Sequence, residues 1–267
     1  MTFARRLVAF LLLCAVLIGT GPASAKLISN VDYGPHRLDI HTPSARDAPV
    51  IVFVHGGAWT MGSKGGKRAM ARYFNKLGYV FVSVGYGKYP GASIDTQEKQ
   101  VAMAINWTVK NARSFGGDPG RVTVMGFSAG AHLASLAVLS GRTPAVRALV
   151  AVDTGAYDVA YLASLNNNRL GPLYAAPFSN RSRWDDWSPI NRIGKSKRIP
   201  VMVLWSSGRN RDRITDRFAD RLQGAGHPVA RHDASRFGHI GLGGAIGRHK
   251  ATSAAIANFL ASALGRH

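Results

Sequence analysis

Cysteine is nearly absent from this sequence, and the one cysteine, Cys14, lies in an apolar segment near the N-terminus. If that segment is removed, the remaining chain has no thiol. This excludes disulfides, a cysteine nucleophile and cysteine-ligated metal sites. The sequence also lacks a His-x-x-x-His pattern and a clustered acidic motif. We therefore expect neither a metal nor an organic cofactor.

Acidic residues are also scarce: 14 Asp and Glu stand against 34 Lys and Arg, which gives a formal net charge of +20. Such an excess can indicate nucleic-acid binding. The basic residues are scattered, however, and form only small clusters, such as those at 181–183, 195–198 and 209–213. We therefore expect no nucleic-acid partner, and instead a solvated basic surface that associates weakly with anionic envelope polymers or lipids.

Long apolar runs are missing after residue 25. Before that point, Arg5 and Arg6 precede an apolar stretch at 7–18, and the small residues at 23–25 (ASA) form a cleavage pattern. These features predict a signal peptide cut before Lys26, and therefore an exported protein, periplasmic or secreted. The alternative is an uncleaved anchor, but the stretch is short for a span that needs about 20 residues. We expect no transmembrane segment in the mature chain.

No internal repeat, low-complexity tract or linker divides the rest of the chain. Short apolar runs rich in Val and Ile alternate with segments whose apolar residues follow helical spacing. The predicted strands are 49–54, 79–84, 122–125, 148–152, 200–205 and 229–232, and the predicted helices are 68–77, 94–115, 129–140, 215–222 and 251–264. This alternation predicts one α/β domain over residues 26–267, with a mostly parallel central sheet and helices on both faces.

One segment, residues 154–199, interrupts this alternation. It has no clean period and contains four tyrosine or phenylalanine residues and two tryptophans. In an α/β sheet, the loops beyond the carboxyl ends of the strands build the binding site. We therefore expect this insertion to line or cover a substrate pocket, although a passive packing role is the alternative.

The segment 126–130 (GFSAG) matches the pattern G-x-S-x-G and lies between a predicted strand and a predicted helix. This is the context of a nucleophile elbow, in which Ser128 sits in a strained turn with its hydroxyl exposed. Gly126 and Gly130 lack a Cβ, so the strand and the helix can approach closely. The amide of Ala129 at the helix N-terminus can stabilise an oxyanion. We therefore predict Ser128 as a catalytic nucleophile.

A second glycine-rich segment, 55–59 (HGGAW), follows the predicted strand before it. Glycines allow backbone amides to turn into a pocket without a side-chain clash. We predict that the amides of Gly57 and Ala58 complete the oxyanion hole, with Gly56 as a spacer or a third donor. His55 would then hold the loop and would not act as the base. The alternative is a plain glycine-rich turn.

These two motifs, 55–59 and 126–132 (GFSAGAH), resemble those of the hormone-sensitive-lipase-like and feruloyl-esterase-like carboxylesterases of the α/β-hydrolase superfamily. They are also similar to those of arylformamidases. The resemblance extends over about 31–264, and it includes the segments 118–122 (DPGRV) and 187–189 (WSP). It implies the α/β-hydrolase fold, with the insertion after the strand that follows the nucleophile helix.

The resemblance also implies a triad in the order serine, acid, histidine, so the base must lie downstream. The downstream candidates are His227, His232, His239, His249 and His267. We favour His239, with His249 second, because His239 follows Gly238 in a loop just past the last predicted strand, where the family places its histidine.

The acid is expected after the predicted strand 200–205, where the family has a glycine followed closely by an aspartate. Asp212 is the nearest match, although arginines flank it. Asp216 and Asp153 are the alternatives, the latter at the end of an earlier strand. Neighbouring arginines would lower the pKa of Asp212 and keep it ionised.

Together these residues predict a carboxylesterase-type serine hydrolase that cleaves a small-molecule ester through an acyl-enzyme intermediate. An arylformamidase-type amide hydrolase is the alternative within hydrolases. From a different class, the alternative is a non-catalytic α/β-hydrolase-fold protein that binds at the cell envelope. The presence of both Ser128 and His239 argues against the non-catalytic interpretation.

Overall fold

The computed structural model describes residues 26–265. The predicted signal peptide, residues 1–25, and the candidate base His267 lie outside the described residues. None of the helices within 26–265 combines the length and the apolarity that crossing a membrane requires.

Eight strands form one sheet in the order β1-β2-β4-β3-β5-β6-β7-β8. The strands are β1 (Lys26–Asp32), β2 (Arg37–Thr42), β3 (Ala48–Val54), β4 (Val80–Val84), β5 (Gly117–Phe127), β6 (Ala148–Val152), β7 (Val201–Trp205) and β8 (Val229–Asp233). Strands β3 to β8 are mutually parallel, whereas β1 and β2 join antiparallel at one edge. Every residue of β3, β4 and β6 is buried, as expected for strands covered on both faces.

Eight α-helices accompany the sheet within the described residues. They are α1 (Arg68–Lys76), α2 (Ile94–Asn111), α3 (Ala129–Leu139), α4 (Val159–Ser164), α5 (Pro172–Ala175), α6 (Arg211–Gly224), α7 (His239–Ala245) and α8 (Lys250–Ala263). One hydrophobic core contains side chains of α2, α3 and α6, and a second contains side chains of α1, α7 and α8. The α/β-hydrolase fold predicted from the sequence is confirmed, with helices on both faces of a mostly parallel sheet.

Helix α3 directly follows the central strand β5 and is buried along its whole length. Its sequence is apolar all round, which is the composition of a helix enclosed by protein on every side. It packs against β5, β6 and α2. The turn between β5 and α3 is therefore held rigidly at the carboxyl edge of the sheet, where Ser128 lies.

The segment 154–199 contains α4, α5 and two short 3-10 helices, Arg181–Arg183 and Pro189–Arg192. Its aromatic residues pack toward the loop after β3: the ring of Trp59 lies 5.3 Å from that of Tyr174 and 4.8 Å from that of Phe178. The segment is also joined to α2, because Trp187 Nε1 donates to Asp95 at 3.0 Å. Its aromatic residues thus form part of the protein interior beside the carboxyl edge of the sheet.

Candidate active site

Ser128 occupies the turn between β5 and α3 with φ 56° and ψ −124°. A non-glycine residue in such a conformation costs of order 1–3 kcal/mol, so the surrounding structure must hold it. The Ser128 amide donates to the carbonyl of Val152 at 2.8 Å. A Cβ on Gly126 would lie 2.3 Å from the carbonyl oxygen of Gly130. Only glycine therefore permits the turn that presents the serine hydroxyl.

The Ser128 hydroxyl is joined to His239 and Asp153 by two short hydrogen bonds. His239 Nε2 lies 2.8 Å from Ser128 Oγ, and His239 Nδ1 lies 2.6 Å from Asp153 Oδ2. Because a carboxylate only accepts, Nδ1 carries the proton and donates to Asp153, which leaves Nε2 to accept from the serine hydroxyl. The ring of Phe127 stacks on the imidazole at 5.0 Å and fixes its plane.

Asp153 is completely buried at the end of β6. Burial by itself would raise the pKa of this carboxyl, but the hydrogen bond from His239 and the charge of Arg211 outweigh that effect, and the pKa lies below its usual value. Arg211 Nη1 is 3.8 Å from Asp153 Oδ1. The buried carboxylate is therefore ionised and can orient the imidazole.

The prediction that Asp212 is the acid partner is wrong. Asp212 lies in the first turn of α6 with an exposed side chain, and it makes no contact with His239. Asp216, the other downstream alternative, pairs with Arg231 at 3.1 Å. Asp153 replaces them because β6 pairs directly with β5, which brings its carboxyl end beside Ser128. The segment after β7 contributes Arg211 instead of a carboxylate.

The other described histidines downstream serve local contacts. His249, the second candidate for the catalytic base, caps α8 and accepts from the amide of Thr252 at 3.4 Å. His227 contacts the backbone of Ile199, and His232 lies within β8. Among residues 26–265, His239 is thus the one histidine that is hydrogen-bonded to the serine of the elbow.

The loop after β3 has an unusual backbone at three successive residues. Gly57, Ala58 and Trp59 have φ values of 133°, 48° and 63°. A Cβ on Gly57 would lie 2.1 Å from the carbonyl oxygen of Met61, so glycine is required there. The turn is closed by the amides of Thr60 and Met61, which both donate to the carbonyl of Gly57, at 3.0 and 2.9 Å.

The loop that carries two of the predicted oxyanion donors contacts the nucleophile turn. A Cβ on Gly56 would approach the Cβ of Ser128 to 2.9 Å, so the loop and the elbow are in close contact. Within the described part of the chain, the amides of Gly57, Ala58 and Ala129 have no hydrogen-bond acceptor. Unpaired amides in the nucleophile turn and in a loop that contacts it are available to stabilise negative charge that develops on a carbonyl oxygen.

His55 holds the base of this loop. Its Nδ1 donates to the carbonyl of Gly56 at 2.7 Å, and its ring stacks on Tyr86 at 4.3 Å. The hydroxyl of Tyr86 donates in turn to the His55 carbonyl at 2.7 Å. Burial lowers the pKa of His55 to about 4, so the imidazole is neutral. These contacts give His55 a role in positioning the loop.

His132 is a buried residue to which the sequence analysis assigned no role. It accepts from Trp59 Nε1 at 3.1 Å through Nδ1 and donates to the carbonyl of Trp187 at 2.6 Å through Nε2. It therefore joins α3 to the 154–199 segment and to the loop after β3, residues 55–59, here called the oxyanion loop. A single histidine within the apolar sequence of α3 is the signal that could have identified it.

Comparisons with known proteins bear on the family to which the chain belongs. The family model described as BD-FAE matches residues 38–160. "Esterase LipQ" of Mycobacterium tuberculosis is 34% identical over 205 residues, covering 66% of this chain and 47% of that protein. "Probable carboxylic ester hydrolase LipM" of the same organism is 30% identical over 205 residues, covering 68% and 47%. The chain thus spans about half the length of these curated relatives.

Among solved structures, the fold is similar to that of "Esterase B" from Lactobacillus rhamnosis, with a TM-score of 0.75 at 16% sequence identity. The match covers 91% of this chain and 87% of that one. At this identity the likeness concerns the fold. The family model and the sequence relatives show that the chain belongs to the α/β-hydrolase superfamily, in its hormone-sensitive-lipase-like carboxylesterase branch.

Proposed function

We propose that this protein hydrolyses carboxylic esters through an acyl-enzyme intermediate, with Ser128 as nucleophile, His239 as base and Asp153 as acid partner. The observation that carries the proposal is the hydrogen-bonded line from Ser128 Oγ through the His239 ring to Asp153. The esterase names of the sequence relatives support the same reaction class.

The reaction begins when Ser128 Oγ attacks the ester carbonyl and His239 Nε2 takes the hydroxyl proton. The amides of Gly57, Ala58 and Ala129 hold the resulting oxyanion. His239 then donates the proton to the departing alcohol oxygen, which leaves an acyl group on Ser128. A water molecule, deprotonated by the same imidazole, attacks the acyl group and releases the acid.

Asp153 supports both proton transfers without exchanging a proton itself. Its hydrogen bond selects the tautomer with the proton on His239 Nδ1, and its charge stabilises the imidazolium that forms after each transfer. The Arg211 side chain lowers the pKa of Asp153, so the carboxylate remains charged throughout.

The 154–199 segment is proposed to line the substrate pocket. Support comes from the packing of its Tyr174 and Phe178 rings against Trp59, the residue next to the oxyanion donor Ala58. The aromatic wall adjoins the place where the acyl or alcohol part of an ester must lie.

We also propose that the protein is exported to the periplasm or the medium. The proposal rests on the basic start, the apolar stretch and the small-residue cleavage pattern in residues 1–25. Cleavage before Lys26 would remove two positive charges and leave a formal charge of +18. Such an excess favours weak electrostatic association with anionic envelope polymers or lipids.

Hydrolysis of 4-nitrophenyl esters of graded chain length by residues 26–267 tests the proposed function. Ser128→Ala should lower kcat by about 10⁶-fold, because no other group can form the acyl-enzyme. A fluorophosphonate should label the wild-type protein and not the variant. A folded protein that neither turns over these esters nor reacts with the fluorophosphonate would contradict the proposal. Cleavage of N-formyl anilines with no ester turnover would redirect it to amide hydrolysis.

A further inference from the structure

A cavity of about 280 Å³ lies between the 154–199 segment and the connection from β7 to α6. It adjoins the triad, since one wall contains Gly155, two residues beyond Asp153, and another contains Arg211. Tyr174 also lines it, and the ring of this residue packs 5.3 Å from that of Trp59 in the oxyanion loop. The cavity is thus placed to receive one end of a substrate bound at Ser128.

Three arginines line this cavity, namely Arg169, Arg209 and Arg211, and no Asp or Glu does. The Arg211 charge is matched by the buried carboxylate of Asp153, 3.8 Å away. The guanidinium groups of Arg169 and Arg209 have no hydrogen-bond or ion-pair partner within residues 26–265. Two positive charges at the cavity therefore have no direct partner among the residues that the structure describes.

The remaining wall is largely apolar. Its side chains come from the 154–199 segment and from α6, and they are Leu162, Leu165, Tyr174 and Ile214. Asn166, Gly171, Gly208 and Asn210 complete the lining. The cavity therefore offers an apolar surface together with cationic hydrogen-bond donors, a combination that suits an apolar chain or ring bearing an anionic group.

We propose that this cavity, here called the arginine pocket, binds an anionic oxygen group of the ester substrate. The inference rests on the proposed ester hydrolysis and narrows its substrate class to esters that carry a carboxylate, sulfate or phosphate. Guanidinium groups match these anions because their donors form a planar fork that can bind two oxygens at once. The apolar remainder of the substrate packs on the leucine and tyrosine side chains.

Matched pairs of anionic and neutral esters test the proposal. On the acyl side, the 4-nitrophenyl monoester of glutaric acid is compared with its methyl-capped counterpart. On the alcohol side, 4-acetoxybenzoate is compared with its methyl ester. In at least one pair, Arg169→Gln or Arg209→Gln should lower kcat/KM for the anionic ester by about tenfold, which is the loss expected for one charge-assisted hydrogen bond. The same variant should leave kcat/KM for the neutral ester of that pair unchanged. Comparing each variant with the wild type cancels the intrinsic reactivities of the two esters.

Arg213→Gln provides the matched control. Arg213 is exposed on α6, does not line the arginine pocket, and has no ion-pair partner in the described chain, so this variant loses the same charge elsewhere. An equal loss in Arg213→Gln would assign the effect to the whole basic surface and overturn the proposal. If neutral esters are hydrolysed but neither Arg169→Gln nor Arg209→Gln affects the anionic member of a pair more than the neutral one, the arginine pocket proposal is overturned while the proposed function stands. Absence of all ester turnover would instead overturn the proposed function, and the inference with it.

Discussion

At the scale of single residues, the site depends on a carboxylate that solvent does not reach. Asp153 is completely buried and accepts the Nδ1 proton of His239 at 2.6 Å. Asp212 is exposed and one residue away from Arg211, the side chain that approaches Asp153. The two aspartates are therefore suited to a comparison by substitution, because Asp153 is hydrogen-bonded to His239 and Asp212 has no partner in the described site.

Asp153→Asn should lower kcat by about 10⁴-fold, because the amide can donate to Nδ1 and favour the wrong tautomer of His239. Asp212→Asn should leave kcat and KM unchanged. Steady-state kinetics on one 4-nitrophenyl ester, with circular dichroism as a check of folding, make the comparison. A large loss in Asp212→Asn and none in Asp153→Asn would return the acid role to Asp212.

At the scale of elements, His132 joins three parts of the molecule. It lies on α3, accepts from Trp59 in the oxyanion loop and donates to the carbonyl of Trp187 in the 154–199 segment. Burial lowers the pKa of His132 to about 4, although the bond to the Trp187 carbonyl partly opposes this effect. The imidazole is thus held neutral in a place where charging it is unfavourable.

This burial predicts a loss of stability in mild acid. An unfolded chain protonates His132 near its ordinary pKa of 6.5, whereas the folded chain does so only near 4. Unfolded molecules therefore bind more protons in this window, and His132 by itself should lower the free energy of unfolding by about 3 kcal/mol as the pH drops from 7 to 4. Urea denaturation at several pH values measures the fall.

His132→Gln separates this effect from other titrating groups. The glutamine amide can keep hydrogen bonds to both neighbours but does not titrate, so the pH dependence between 6.5 and 4 should become shallower than in the wild type. Burial also lowers the pKa of five other described histidines, which remain in both proteins: His36, His41, His55, His227 and His232. An unchanged slope would show that His132 is not the group responsible.

At the scale of the whole molecule, the proposed export and the proposed electrostatic association with the envelope can be tested on the same expressed protein. Expression of the full chain in a Gram-negative host should yield a periplasmic or secreted protein that begins at Lys26, whereas a variant lacking residues 2–25 should stay in the cytoplasm. The proposed electrostatic association should release exported protein from the envelope as salt rises, because salt screens surface charge. N-terminal sequencing of each fraction decides the matter, and an intact N-terminus in the envelope would favour an anchor.

Much of the fold and part of the site followed from local sequence. The patterns at 126–130 and 55–59 work through neighbouring residues, since glycines without a Cβ allow the sharp turns at Ser128 and Gly57. A buried parallel strand can likewise be predicted from its own continuous run of apolar residues. For these features a short stretch of chain contains the whole physical cause.

The identity of the acid depended on tertiary structure alone. Asp153 directly follows β6 and Asp212 lies seven residues after β7, and neither local sequence shows which carboxylate reaches His239. The sheet order decides, because β6 pairs with β5 and delivers Asp153 to His239, whereas the chain after β7 delivers Arg211. Contacts between residues 86 positions apart arise from the packing of strands, and that packing minimises the energy of the whole molecule and not of any one segment.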